Sequence, residues 1–295
     1  MKKKFIFILL LIITTLSFAD KNYKFESTFG FLSSGTLLSS FKDARVAVRA
    51  WLEDVSLDYD GKLNVEFYES SEVLYKNLKN GNVDMAVLDL NFFFKNKKDI
   101  ELNTANYWSL SMNDTKYSQY YLISRTSDNL KTIKDLKNRT ISLKEADNAS
   151  FTWIDKNSLQ TNKKDIESIL KKIKYEKKES TILLNVFFKK TDFSVVSKKT
   201  WDTMVELNPS ILKKLTVVKK SEKIYFPFIG LFNKKAAQSS VAAFFNLSRD
   251  LTNIEGSEQI INMLKFNSIF RVNEQSLRPL EIYYNEYFEL KKRYK

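Results

Sequence analysis

The chain has 295 residues and a formal net charge of +13, with no histidine, no cysteine and only six glycines. The lack of His and Cys excludes disulfides, thiolate chemistry, a Ser-His-Asp triad and any metal site built on these residues. The glycines form neither a dinucleotide-binding GxGxxG loop nor a phosphate-binding P-loop, so no cofactor and no metal are expected.

The first 19 residues predict a cleavable export signal. Three lysines precede an apolar run over residues 5–13, and small residues at Ser17 and Ala19 suit a signal peptidase. The run is shorter than the roughly 20 residues that span a bilayer. We therefore expect cleavage after Ala19 and a periplasmic mature protein, an address that, with lysines scattered as in LKKIKYEKKES, argues against a nucleic-acid partner.

Short strands alternate with helices through the first hundred residues. The periodicity predicts strands over 23–31, 63–70 and 84–89 and helices over 41–55 and 71–80, the second ending at Gly81. In the first helix the predicted buried stripe is Val46, Ala50, Trp51 and Val55. Alternation of this kind indicates βαβ units and a mostly parallel sheet.

The same pattern begins again downstream. It predicts a turn at Asn138-Arg139, a strand through Ile141, a helix from about Ser150, a helix over 180–188, a strand over 192–197, a helix over 198–207 and a strand over 213–221. Two short stretches echo each other, NGNVDMAVLD and KKTDFSVVS, since in each an Asp ends a polar turn and opens an apolar run. We interpret the echo as one structural event, a helix, a tight turn and a buried central strand, present once in each of two lobes.

Two extended Tyr-rich segments stand where the pattern restarts, residues 115–129 and 221–235. We interpret them as hinge strands that join two α/β lobes, with a ligand cleft between the lobes at strand C-termini and helix N-termini. The predicted division is residues 20–120 plus 225–295 for the first lobe and 121–224 for the second. The C-terminal stretch, residues 276–295, has helical spacing and is predicted to pack back on the first lobe.

Several stretches, in this order, resemble the bacterial periplasmic solute-binding proteins of the phosphate, phosphite and phosphonate family. They are DARVAVRAWLEDV, LKNGNVDMAVLDLNFFF, LKTIKDLKNRTISL, VFFKKTDFSVVSKKTWDTMVELNPSILKKLTVVKKSE and GSEQIINMLKFNSIF. The resemblance implies a type II periplasmic binding protein fold, no enzymatic activity, and delivery of a small ligand to an ABC importer.

The resemblance also implies where an anion is held. The family grips its ligand with a Ser-Thr-Ser-Gly-like turn that opens a helix of the second lobe, and the matching residues here are Asp147, Asn148, Ala149, Ser150 and Phe151. Ser150 is the expected N-cap and donor. Ala149 and Phe151 replace a hydroxyl and the glycine, so another small anion, or a zwitterion whose amine binds Asp147, is an equally open ligand.

Other candidates come from position alone. Hydroxyls, amides and charges that follow the predicted strands of the two lobes are Ser33, Ser34, Thr36, Asp89, Asn91, Ser197, Lys198 and Thr200. Tyr117, Tyr120 and Tyr121 lie on the first hinge strand, and Trp153 and Trp201 lie at the starts of helices near the expected cleft. The alternatives are structural: a polar turn at Ser33, a helix cap at Asn91, a solvated Lys198 and core packing for the tryptophans.

The leading hypothesis is a monomeric binding protein that closes on an anionic or zwitterionic solute by hinge motion and presents it to a permease. A ligand-sensing subunit for a membrane signalling protein is the alternative within the class. An enzyme that uses carboxylates or a Ser/Lys pair in the same cleft is the hypothesis from another class, although no paired acid/base motif is visible.

Overall fold

A computed structural model describes residues 23–33, 44–112, 115–249, 251–264 and 266–294. The predicted signal peptide and two candidate ligand residues, Ser34 and Thr36, lie outside the described residues. No helix in the described part of the chain is both long and apolar enough to span a membrane.

Strands and helices alternate along the described chain. The strands are β1 Phe25–Leu32, β2 Gly61–Tyr68, β3 Met85–Leu88, β4 Thr104–Met112, β5 Tyr120–Arg125, β6 Thr140–Lys144, β7 Lys172–Glu176, β8 Phe193–Ser197, β9 Leu215–Lys220, β10 Ile229–Asn233 and β11 Phe266–Arg271. The helices are α1 Ala44–Asp58, α2 Ser71–Asn80, α3 Leu90–Lys95, α4 Lys97–Asn103, α5 Asn148–Asn162, α6 Ile166–Ile169, α7 Glu179–Phe187, α8 Lys198–Leu207, α9 Ser210–Lys214, α10 Gln238–Arg249, α11 Ser257–Leu264 and α12 Glu274–Tyr294.

The strands form two separate sheets. The six-stranded sheet has the order β11-β4-β10-β3-β1-β2, and the five-stranded sheet has the order β7-β6-β8-β5-β9. We call the first sheet with its helices lobe 1 and the second sheet with its helices lobe 2. The N-terminal and C-terminal parts of the described chain form lobe 1, whereas the part between them forms lobe 2.

The sheets are mixed, so the expectation of mostly parallel sheets was wrong. Strands β1, β2 and β3 pair in parallel, as do β6, β7 and β8, which is the βαβ part of each lobe. Strands β10 and β5, which follow the two crossings between lobes, run the other way, because β10 pairs antiparallel with β3 and β4, and β5 pairs antiparallel with β8 and β9. Consecutive strands can pair in parallel only where a crossover connection, usually a helix, joins them.

The two echoed aspartates have the same structural role. Asp84 precedes β3, and its Oδ2 accepts the Thr28 N–H of β1 at 2.9 Å. Asp192 precedes β8, and its Oδ2 accepts the Thr140 N–H of β6 at 2.9 Å. Each carboxylate therefore accepts a backbone N–H of the neighbouring parallel strand at the point where β3 or β8 begins. Strands β3 and β8 each then lead into a capped helix. The echo marks equivalent points of the two lobes.

Two chain segments cross between the sheets, one leading from β4 into β5 and one from β9 into β10. They touch at an isolated bridge, where the Ser118 N–H donates to the main-chain carbonyl oxygen of Tyr225 at 2.7 Å. Tyr117 stacks on Phe226 beside this bridge, with ring centroids 5.3 Å apart. The predicted hinge segments thus contain both crossings, but six of the fifteen residues in the first segment belong to β5 and five of the fifteen in the second belong to β10.

Helix α1 packs on β2 and α11 with a face that differs from the predicted stripe. Val55 is buried as predicted, together with Ala44 and Val48, whereas the predicted Val46 is 72% exposed and Ala50 is also exposed. The buried positions follow the helical spacing i, i+4 and i+11, so the face is turned relative to the predicted one. The end of α2 agrees with prediction, because Gly81 adopts φ +83° and its N–H bonds the last carbonyls.

One hydrophobic core runs through both lobes. It joins Leu74 and Phe93 of lobe 1 to Leu122 and Trp153 of lobe 2, and it includes Tyr284 of α12. Separate clusters fill the outer faces of each sheet. The C-terminal helix packs on α3 of lobe 1, as predicted, and also on α5 of lobe 2.

Gly230→Ala is expected to lower the free energy of unfolding by about 3 kcal/mol, measured by chemical denaturation. Gly230 pairs across strands with Trp108, and a Cβ there would lie 2.1 Å from the indole Cε2. The indole cannot retreat because the rings of Phe228 and Phe244 lie 5.5 and 4.8 Å from it.

Trp108→Leu should relieve this clash, so the double variant with Gly230→Ala is expected to be less destabilised than the sum of the two single variants. Additive effects would contradict the steric explanation.

Candidate functional site

A cleft of about 530 Å³ lies between the two lobes. Lobe 1 contributes the ends of β1 and β3 and the first residues of α2 and α3, and lobe 2 contributes the first residues of α5. Pro227 and Phe228 of the second crossing and Tyr287 of α12 complete the wall. The cleft therefore has strand C-termini and helix N-termini on its walls, as the βαβ topology predicts.

Asp89 organises the lobe 1 wall. Its Oδ1 accepts the Phe92 N–H at 2.9 Å, which caps α3, and its Oδ2 accepts the Ser71 hydroxyl at 2.6 Å. Ser71 is the first residue of α2, so a single carboxylate joins the starts of two helices. Asp89 rather than Asn91 is the N-cap, because it is the residue three positions before the N–H that it binds.

Asp147 organises the lobe 2 wall. Its Oδ1 accepts the Ser150 N–H at 3.1 Å and the Tyr120 hydroxyl at 3.3 Å. Asp147 is thus the N-cap of α5, and the expectation that Ser150 would cap this helix was wrong, since the helix begins two residues earlier. Burial raises the pKa of the Asp147 carboxyl, Lys144 lowers it and Glu179 raises it.

A polar contact joins the two walls of the cleft. The Asn91 side-chain amide of α3 donates to the Thr152 hydroxyl of α5 at 3.1 Å. Both residues line the cleft, so this bond joins lobe 1 to lobe 2 beside the ligand space. Asn91 was a candidate from sequence, whereas Thr152 was not.

The cleft is rich in carboxylates. Among the described residues that line it, four are acidic, Glu69, Glu72, Asp89 and Asp147, and one is basic, Lys95. Two helices of ten and fifteen residues, α2 and α5, also begin at this surface, and helix N-termini attract negative charge. The walls thus offer N–H dipoles for an anionic group and carboxylates for a cationic one.

Of the predicted ligand residues, Asp89, Asn91, Asp147 and Asn148 line the cleft. Ser150 is buried behind the wall, where its hydroxyl donates to the main-chain carbonyl oxygen of Asp147. Ser33 is buried at the end of β1, and its N–H donates to the main-chain carbonyl oxygen of Tyr68. Trp153 packs in the core and stacks on Tyr120.

The candidates that follow β8 lie away from this lining. The hydroxyls of Ser197 and Thr200 both donate to Glu179 Oε2, and Lys198 pairs with Asp202 on the same helix. Glu179 begins α7 as Ser71 begins α2, so the end of β8 and the start of α8 repeat the lobe 1 arrangement with the acid and the hydroxyl exchanged. Tyr117 lies at the crossings, and Trp201 and Tyr121 pack in the outer core of lobe 2.

Sequence reasoning missed Ser71, Glu72, Thr152 and Tyr287, all of which line the cleft. For Ser71 and Glu72 a signal was available, because they open a helix directly after the predicted strand that ends at residue 70. Tyr287 had no signal in its own surroundings, since it reaches the cleft only through the packing of α12 on both lobes.

Two mixed sheets joined by two crossings around a cleft define a type II periplasmic binding protein fold. Solved structures agree. One is XAC2383 from Xanthomonas citri bound to ATP, with TM-score 0.67 and 8% identity over 92% of this chain and 99% of that chain. Another is a binding protein component of an ABC phosphonate transporter from Pseudomonas aeruginosa, with TM-score 0.61 and 12% identity over 89% of this chain and 87% of that chain.

A third is PhnD1 from Prochlorococcus marinus in complex with methylphosphonate, with TM-score 0.60 and 11% identity over 90% of this chain and 98% of that chain. No curated protein sequence matches the chain significantly. The family model for the periplasmic substrate-binding protein of phosphonate ABC transporters matches residues 38–268. The chain belongs to this family, and it is a binding protein rather than an enzyme.

Proposed function

We propose that the protein captures a small phosphonate in the periplasm by closing its two lobes around the ligand, and that it presents the closed form to the permease of an ABC importer. The observation that carries the proposal is the cleft, which takes its walls from both lobes. A ligand held there contacts α2 and α3 on one side and α5 on the other, so it favours the closed arrangement.

Within this class we propose a zwitterionic ligand, an aminoalkyl phosphonate. The starts of α2 and α5 suit the phosphonate group, because their backbone N–H groups and dipoles favour anions. The four cleft carboxylates would repel a ligand that carried negative charge alone, but they suit an amine at the other end of the molecule. Asp147 is the proposed amine partner because it is buried at the wall.

The proposal keeps the predicted boundaries, with a signal peptide over residues 1–19, lobe 1 over 20–120 plus 225–295 and lobe 2 over 121–224. It also keeps the expectation that the protein is a monomer. N-terminal sequencing of protein from the periplasm tests cleavage after Ala19, and light scattering tests the oligomeric state.

The ligand is tested on protein refolded to remove any copurified solute. We expect 2-aminoethylphosphonate to raise the melting temperature more than ethylphosphonate, which has the same carbon chain without the amine. At 100 times its dissociation constant a ligand stabilises a protein by about 2.7 kcal/mol. Phosphate, phosphite and sulfate serve as anions without a carbon chain.

A preference for ethylphosphonate would contradict the zwitterion, and silence of the whole phosphorus series would contradict the ligand class. Silence of every compound would favour an adaptor or sensing role over import.

A further inference from the structure

We propose that the C-terminal helix α12 is a strap across the hinge, a third connection that holds lobe 1 against lobe 2. The inference concerns the lobe motion that the proposed function uses, but it depends on no particular ligand.

The first half of α12 is fixed to lobe 1. The helix follows β11 of the six-stranded sheet after a short link, and Leu277 and Leu280 are buried in the core. Glu281 pairs with Lys97 of α4 at 2.8 Å. Tyr284 stacks on Phe94 of α3, with ring centroids 4.9 Å apart and planes at 16°.

The second half of α12 is fixed to lobe 2 through α5. Glu286 pairs with Lys156 at 2.9 Å, and the Lys156 ammonium also donates to the main-chain carbonyl oxygen of Tyr283 at 3.1 Å. Lys291 pairs at 2.8 Å with Asp155, which is fully buried. Breaking contacts to buried charges costs several kcal/mol, so this half is expected to move with lobe 2.

The strap also forms part of the ligand cleft. Tyr287 lines the cleft, and its hydroxyl donates to Asp155 Oδ2 at 2.8 Å. The same buried carboxylate therefore holds the strap to α5 and orients a cleft side chain. Tyr287 is a positioning residue in this scheme, because it links the state of the strap to the shape of the cleft.

The test measures the distance between lobes in the ligand-free protein. The chain has no cysteine, so Val73→Cys on α2 and Tyr175→Cys on β7 introduce the sole two thiols, at side chains that are 49% and 50% exposed. Spin labels at these positions report the distribution of distances by pulsed electron paramagnetic resonance.

Three matched variants on the same helix separate the strap from a general charge effect. Glu281→Gln weakens the tie to lobe 1 and Glu286→Gln weakens the tie to lobe 2, whereas Glu289→Gln removes an exposed pair with Lys292 inside the helix. We expect the first two to raise the population at long distances about five-fold, the factor that ~1 kcal/mol corresponds to, and the third to leave it unchanged.

Circular dichroism confirms that each variant is folded. Distances in Glu281→Gln and Glu286→Gln that match those in Glu289→Gln would overturn the strap. If the protein binds phosphonates but these distances are unchanged, the strap proposal alone is overturned. If it binds no phosphonate but the two variants change the distances, the strap proposal stands and the proposed ligand is overturned.

Discussion

Asp147→Asn is expected to weaken binding of 2-aminoethylphosphonate at least ten-fold and to leave binding of ethylphosphonate unchanged or slightly tighter. A hydrogen bond to a charged group contributes about 1.5–3 kcal/mol, and 1.4 kcal/mol is a factor of ten in affinity. Asn keeps the oxygen that accepts the Ser150 N–H, so the helix cap is retained and the charge alone is lost. Titration calorimetry with both ligands measures the difference.

The matched control is Asp202→Asn, an exposed carboxylate on α8 that pairs with Lys198 and does not line the cleft. It is expected to bind both ligands as the unaltered protein does. An equal loss of both ligands in Asp147→Asn would indicate damage to the wall, and no change in either would exclude Asp147 as the amine partner.

The raised pKa of Asp147 adds a pH dependence. A carboxyl whose pKa is raised by folding favours the folded state when protonated, and this contribution is lost as pH rises from the ordinary value of 3.8 through the raised one. The ligand-free Asp147→Asn protein should therefore gain stability relative to the unaltered protein as pH increases over that window. Melting temperatures of both proteins from pH 4 to pH 7 give the comparison.

Asp155→Ala is expected to lower the free energy of unfolding by about 3 kcal/mol. The side chain is fully buried, its Oδ1 accepts the Ile166 N–H at 2.7 Å, and its Oδ2 accepts the Tyr287 hydroxyl and pairs with Lys291. Alanine leaves the Ile166 N–H and the Tyr287 hydroxyl without their acceptor. Urea denaturation measures the loss directly.

Asp202→Ala removes an exposed ion pair and is expected to cost less than about 1 kcal/mol. Tyr287→Phe removes one of the three partners of Asp155 and should cost about 1 kcal/mol. A loss in Asp155→Ala no larger than that in Asp202→Ala would mean that the buried cluster contributes little to stability.

The local pattern was sufficient to predict the repeated architecture. The helix that ends at Gly81, the strands that follow Asp84 and Asp192, and the hinge segments all depend on neighbours a few residues apart, and periodicity reports such neighbours. The cleft between the lobes followed from topology, because parallel strands place their C-termini at one edge of a sheet. Asp89 and Asn91 were predicted on these grounds, Asp147 and Asn148 were predicted from the family resemblance, and all four line the cleft.

Contacts between distant parts of the chain were decided by tertiary structure alone. The bond from Asn91 to Thr152 joins two lobes, and Tyr287 reaches the cleft from a helix that local spacing could place on one lobe only. Ser197, Lys198 and Thr200 hold the position equivalent to Asp89, but Glu179 engages the two hydroxyls and Asp202 engages Lys198. Strand direction at the crossings likewise depends on how the chain returns between lobes. Sequence determines which segments become strands and helices, whereas packing between segments far apart decides which side chains meet at the ligand.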